Sequence, residues 1–252
     1  MNAHLLSCIM RIAKWMVESG AEIYRVEESV TRICQAYGVA RADVYATTSQ
    51  VLVTVELADY TTVTDSVRIR RIGTDMERVD RLNALVRAMA AEAPDAEEVE
   101  RRLVSLEETP SYGRLGRVLA FGLIAGMFCL FFGGRGAGET ALAAAIGCTL
   151  GICTIMLEDL DANKLLIRFL CSFLASLLAH VGCRLGLAAQ ADYIIIGNIM
   201  TLIPGVGLTN ALRDLFTGDN LTGVLRLIEV VLMAFVIAAG YVLVSWLFGG
   251  VV

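Results

Sequence analysis

The sequence predicts an α-helical polytopic membrane protein of about five transmembrane helices that carries a small N-terminal cytoplasmic α+β domain. Three observations predict it. The 252-residue chain is 56% hydrophobic and only 19% charged, and its mean hydropathy of +0.65 lies far above that of an ordinary soluble domain. Charge is unevenly placed: residues 1–112 hold 13 of the 21 Lys and Arg and 18 of the 26 Asp and Glu, whereas residues 113–252 hold 8 of each. The second part also strings together apolar runs close to the roughly 20 residues a membrane span requires. Two regions follow, 1–112 and 113–252, joined near Pro110-Ser111-Tyr112-Gly113.

In the first region, Leu5, Leu6, Ile9, Ile12, Ala13 and Met16 recur at helical spacing, and Ser19-Gly20 breaks the pattern. Arg11, Lys14 and Glu18 interrupt this opening before any long apolar core develops, so it does not read as a secretory signal. A second helix runs from about Ala21 to Tyr37 with Ile23, Val26, Val30 and Ile33 on its apolar face and Gly38 as its C-cap. The period then changes. Val44 to Thr48, Val51 to Leu57 and Val63 to Ile69 are rich in Val and Thr and alternate in part, which predicts three short strands. Helical spacing returns in Val79, Leu82, Leu85, Val86 and Met89, and an acidic helix spans Ala96 to Glu107.

The second region supplies spans at about 115–132, 141–157, 165–187, 191–207 and 221–248. The fourth is the unusual one: the piece between Asp192 and Pro204 has 11 residues, about 16 Å of helix. It crosses only if flanking residues join it. Basic residues set the orientation. Arg114, Arg117, Lys164, Arg168, Arg213 and Arg226 fall on one set of boundaries, and Arg135 and Arg184 on the other. That asymmetry places the N-terminal domain in the cytoplasm and, with five spans in an inner membrane, the C-terminus outside. Gly122 and Gly126, and again Gly147 and Gly151, are spaced to let helices approach closely.

Few arrangements for catalysis exist. The chain has two histidines, His4 and His180, and seven cysteines without a CxxC pair; the cysteines read as small apolar residues, and neither a metal nor a cofactor is expected. Neither HExxH nor GxSxG occurs, and no Gly-rich phosphate loop ends in Lys-Ser/Thr, so neither hydrolysis nor ATP as an energy source is indicated. The Arg68, Arg70, Arg71 group sits in a region of net charge −5, which points to a solvated face and to no nucleic-acid partner. His180 has two readings, a proton shuttle or a histidine bonded to a neighbouring helix. Glu158, Asp159, Asp161 and Glu139 read as solvated loop residues, and Arg226 and Glu229 as an i,i+3 pair.

The informative feature is Pro204-Gly205-Val206-Gly207, which interrupts an apolar stretch and leads into Leu208-Thr209-Asn210-Ala211-Leu212-Arg213-Asp214-Leu215. Proline lacks a backbone donor, and the glycines Gly205 and Gly207 permit non-helical torsions, so a helix ends there with carbonyls unpaired. A helix starting near Leu208 would turn its free N–H groups to the same gap, a setting that suits a carboxylate. Thr209 and Asn210 would then bond a small polar substrate, Arg213 its carboxylate, and Asp214 an amino group or a proton. Asn198, two helical turns from Asp192, belongs to the same candidate path, with Asp192 and Glu229 as candidates for proton coupling. The alternative is that Pro-Gly only ends the span and an interfacial helix follows.

Three blocks also carry a resemblance: Gly20-Ala21-Glu22-Ile23-Tyr24-Arg25-Val26-Glu27-Glu28, Gly197-Asn198-Ile199-Met200-Thr201-Leu202-Ile203-Pro204-Gly205, and Leu208 to Leu215 with Gly218-Asp219. They look like the signature stretches of the threonine/serine exporter family, and domain order and length resemble its short, YjjP-like members. The resemblance implies a cytoplasmic N-terminal domain, about five spans, export of threonine and serine or, for YjjP-like pairs, of succinate, and a second small, YjjB-like membrane subunit as partner. The reading is therefore a non-enzymatic subunit of a secondary exporter of small carboxylated metabolites, embedded in the lipid bilayer and assembling with that partner or as an oligomer. A regulatory or scaffold subunit that does not itself bind substrate is the second reading.

Overall fold

A computed structural model describes residues 2–57, 59–108, 112–134 and 136–248. The expected junction at Pro110-Ser111, and Arg135 of the orientation argument, lie outside the described residues. The chain is mostly helical, with one three-stranded sheet, and it divides into two compact units. The first comprises residues 1–111 and 206–227, the second residues 112–205 and 228–252. The division differs from a simple cut at residue 112: the polar segment after the Pro-Gly element belongs with the N-terminal residues.

In the first unit, α1 (Ala3–Glu18) is started by Asn2, whose side chain accepts from the Leu5 amide at 2.8 Å. Its apolar stripe is wide; Ile9, Ile12 and Met16 are fully buried. Ser19-Gly20 turns the chain into α2 (Ile23–Ala36). Gly20 is required there twice over: its φ is +88°, and a Cβ would lie 2.7 Å from the Gly73 carbonyl oxygen. The segment at 73–75 is bonded to this turn, with Gly73 N–H donating to Glu18 O and Asp75 N–H to Ser19 O at 2.9 Å. Gly38, at φ +72°, ends α2 as expected.

Strands β1 (Arg41–Ala46), β2 (Gln50–Glu56) and β3 (Thr62–Arg68) form an antiparallel meander in the order β1-β2-β3. Val44 pairs with Val53, which pairs with Asp65. Alternation decides the faces: Val51, Val53 and Val55 are fully buried, while the intervening Thr54 bonds Thr64 across the exposed face at 3.0 Å. Helices α3 (Met76–Glu92), capped by Asp75, and α4 (Ala96–Glu108) close the core with Leu82, Met89 and Leu103. Helix α9 (Gly205–Thr217) from Val206 onward and the first turns of α10 (Asn220–Leu247), up to Leu227, complete the unit.

The second unit holds α5 (Arg114–Phe131), α6 (Ala137–Asp159), α7 (Lys164–Arg184), α8 (Ala191–Met200) and the remainder of α10. Close approach at glycine organises it. A Cβ on Gly147 would lie 2.7 Å from both Ala125 Cβ and Phe121 O, and one on Gly122 would lie 2.9 Å from Ala144 O, so α5 and α6 meet backbone to backbone. Gly197 of α8 and Gly240 of α10 approach the carbonyls of Ala125 and Phe169 in the same way. Ser172 donates to Ile237 O at 2.6 Å, a polar tie between α7 and α10. The outer faces stay apolar, as Leu123 on α5 and Phe235 on α10 show.

Among the described residues, four helices, α5, α6, α7 and α10, are long and apolar enough to cross a membrane, and α8 with α9 passes the same test only as a bent pair, so the count there is four or five. Several local expectations change. Chain interruption falls at residues 201–204, because Gly205 and Gly207 already lie in α9 with ordinary helical backbone. Pro204 stands just ahead of the helix, where its missing donor costs least. Glu139, expected in a wet loop, is buried in the first turn of α6, where it accepts from the Gly136 amide at 3.3 Å. Glu158 and Asp159 are not merely solvated: they pair with Arg117 and Arg114 at 2.7 and 3.3 Å. His180 bonds the Ser176 carbonyl of its own helix at 2.8 Å. All seven cysteines are free thiols.

Candidate functional site

Two of the three signature blocks meet in the first unit. The turn between α1 and α2 presents the backbone of Gly20 and Ala21 and the side chain of Glu22, and one face of α9 presents Asn210, Arg213 and Asp214. Asn210 Nδ2 donates to the Gly20 carbonyl at 2.9 Å. Arg213 Nη1 bonds Glu22 Oε1, and the other oxygen of Glu22 lies 2.9 Å from Arg25 Nε. Helical spacing explains the convergence, since residues 210, 213 and 214 lie on one face of α9.

Beneath this exposed layer lies a buried one. Asp214 is fully buried, and its carboxylate lies 3.0 Å from Arg226 Nη1 of α10, an ion pair by distance whose angle is outside hydrogen-bond geometry. Arg226 Nη2 donates to Ala21 O at 3.2 Å, so one guanidinium links α10, α9 and the α1–α2 turn. Gly223 makes the approach possible, since a Cβ there would lie 2.7 Å from Leu215 Cγ. At the edge of the cluster, Glu27 accepts from the Ala46 amide at 2.8 Å. Burial raises its carboxyl above the ordinary value, the Ala46 bond opposes that rise, and the charge of Asp219 adds to it.

The predicted site residues are thus divided. Gly207, Thr209, Asn210, Arg213 and Asp214 belong to the first unit; Asn198, Pro204, Gly205, Asp192 and Glu229 belong to the second. Asp192 and Glu229 are exposed. Asn198 is fully buried; Nδ2 donates to Ala143 O at 3.2 Å and Ile194 O at 2.9 Å, and its Oδ1 is unpartnered among the described residues. Sequence reasoning missed Gly20, Ala21, Glu22 and Arg226 as members of the cluster. For Arg226 the sequence offers a cation in an apolar stretch with Glu229 three residues on, whereas its buried ion-pair partner, Asp214, lies twelve residues earlier across a turn.

The chain resembles known transport proteins at the level of sequence. A family model described as "Putative threonine/serine exporter" matches residues 7–248. The chain is 24% identical over 245 residues to the "Threonine/serine exporter" of Corynebacterium glutamicum, covering 94% of this chain and 50% of that protein. It is 25% identical over 244 residues to the "Probable succinate transporter subunit YjjP" of Klebsiella aerogenes, covering 96% of this chain and 93% of that one. The chain therefore spans half the length of the first relative and nearly all of the second. No solved structure matches it. With its apolar helices, the match makes this a multi-pass membrane protein of a transporter family rather than an enzyme family. The chain belongs to the threonine/serine exporter family.

Proposed function

We propose that this chain is one subunit of a secondary exporter of small carboxylated metabolites, threonine and serine or a dicarboxylate such as succinate. It lies in the inner membrane with its N-terminal domain in the cytoplasm and its C-terminus outside, and it works with a second small, YjjB-like membrane subunit. The match to a relative named as a transporter subunit, the Klebsiella protein, supports a partner subunit. The observation that carries the reading is Arg213: its side chain is 49% exposed, yet a carboxylate, Glu22, already occupies it. A substrate carboxylate would take the same position by exchanging with Glu22, and Thr209 and Asn210 flank it on α9. Asp214 acts as a positioning residue through Arg226. Asp192 and Glu229, both exposed, are the carboxylates we assign to proton coupling.

Efflux of threonine, serine and succinate from cells lacking the native chain, complemented with Arg213→Ala at matched membrane levels, tests this. Losing a charge-assisted contact to substrate lowers efflux about tenfold or more; wild-type efflux would overturn the site. A second reading, a regulatory or scaffold subunit, is favoured by the internal pairing of Glu22 with Arg213 and Asp214 with Arg226. It requires that the partner subunit alone sustain efflux in the deletion strain.

A further inference from the structure

One group of side chains lies apart from the 20–22 and 210–226 cluster. His4 and Cys8 are four residues apart on α1 and so share a face, one turn above the other. Glu100, on α4, faces both. Its carboxylate is divided: Oε1 is 2.5 Å from Arg11 Nη1, while Oε2 is 3.3 Å from Cys8 Sγ and 3.8 Å from His4 Nε2. The nitrogen, sulfur and oxygen all lie within 4.8 Å of one another. Ligands bound tetrahedrally to zinc at about 2.0–2.3 Å stand roughly 3.3–3.8 Å apart. Two of the three edges therefore already match a tetrahedral metal site, and the third, between His4 and Cys8, is within 4.8 Å.

From this geometry we propose that His4, Cys8 and Glu100 bind a divalent transition-metal ion of the zinc class and that the ion clasps α1 to α4. The donor set chooses the metal. A thiolate and an imidazole suit zinc, whereas calcium and magnesium take oxygen ligands. The thiol gives up its proton on binding, and the resulting thiolate and carboxylate balance the charge of the ion. Arg11 serves as the outer partner that fixes the carboxylate, and it is itself held 5.1 Å over the Trp15 ring. His4, 52% exposed, and Glu100, 33% exposed, leave an open side for entry and for a water as fourth ligand. The site is separate from the proposed transport residues, and occupancy would stiffen the packing of α1, whose buried residues, Cys8 among them, build the core.

The test uses the full-length chain, purified in detergent and stripped with chelator. Titration with Co2+ is expected to give one equivalent of binding with a thiolate-to-cobalt charge-transfer band, bleached when Zn2+ displaces it. Cys8→Ser abolishes the band, and His4→Gln, at an exposed position that tolerates change, lowers Zn2+ affinity about tenfold or more, the scale on which even outer-shell partners matter. Glu100→Gln behaves as His4→Gln does. Absence of the band in the unaltered protein, or an unchanged Zn2+ affinity in His4→Gln, would overturn the proposal and leave the group as an ion-pair cluster around Arg11.

Discussion

The pairing of Asp214 with Arg226 makes the sharpest demand on stability. Asp214 is fully buried and the side chain of Arg226 is 7% exposed, with 3.0 Å between them. Neutralising one partner in place, by Asp214→Asn or Arg226→Gln, removes the opposite charge from a buried ionic group at a cost of about 3–5 kcal/mol. For a chain of this length each kcal/mol moves the melting temperature by about 2–4 °C, so each single substitution lowers it by roughly 6–20 °C. The double substitution removes both charges and recovers part of the loss, with a coupling of about 0.5–3 kcal/mol. Thermal unfolding of the purified protein in detergent, with all four members of the cycle, measures this. Melting within about 2 °C of the unaltered protein for both single variants, or strictly additive losses, would refute the view that these charges depend on each other.

Two further outcomes follow from packing and titration. Gly147→Val places a Cβ 2.7 Å from the Ala125 side chain and the Phe121 carbonyl and lowers stability by about 1–3 kcal/mol, whereas Gly116→Ala, with nothing within 4 Å of the added carbon, shows no such loss in the same melting assay. Glu27 holds its proton more tightly in the folded chain than its ordinary value of 4.5 allows; stability is therefore full below that value and declines as pH rises through the raised one. Glu27→Gln flattens that dependence, and an unchanged pH profile of the melting temperature would contradict the assignment.

Much of the secondary structure was legible because its causes are local. Apolar spacing marks α1 through α4, alternation of Val and Thr marks the strands, and Gly38 stops α2 where a left-handed backbone is needed. The expected strand limits differ from the observed ones by one to three residues, since ladder pairing, not propensity, ends a strand. The glycine pairs on α5 and α6 were equally legible as sites of close approach. The interruption is not: proline and glycine point to a gap at 204–207, yet glycine only permits unusual torsions and does not impose them, and the chain breaks at 201–204 instead. Glu139 misled for a related reason, because an acidic residue can be buried when a helix start supplies an amide for it.

The class of protein, the apolar lengths of its helices and the residues that place it in its family are all properties of short windows, readable from the chain alone. Which distant groups meet depends on packing. Glu22 and Arg213 are separated by 191 residues, and Cys8 and Glu100 by 92, so no local pattern connects them. Packing α9 against the α1–α2 turn creates the first pair, and packing α4 against α1 the second. Charged side chains are specific in their partners only when burial and backbone position have already limited where each can reach.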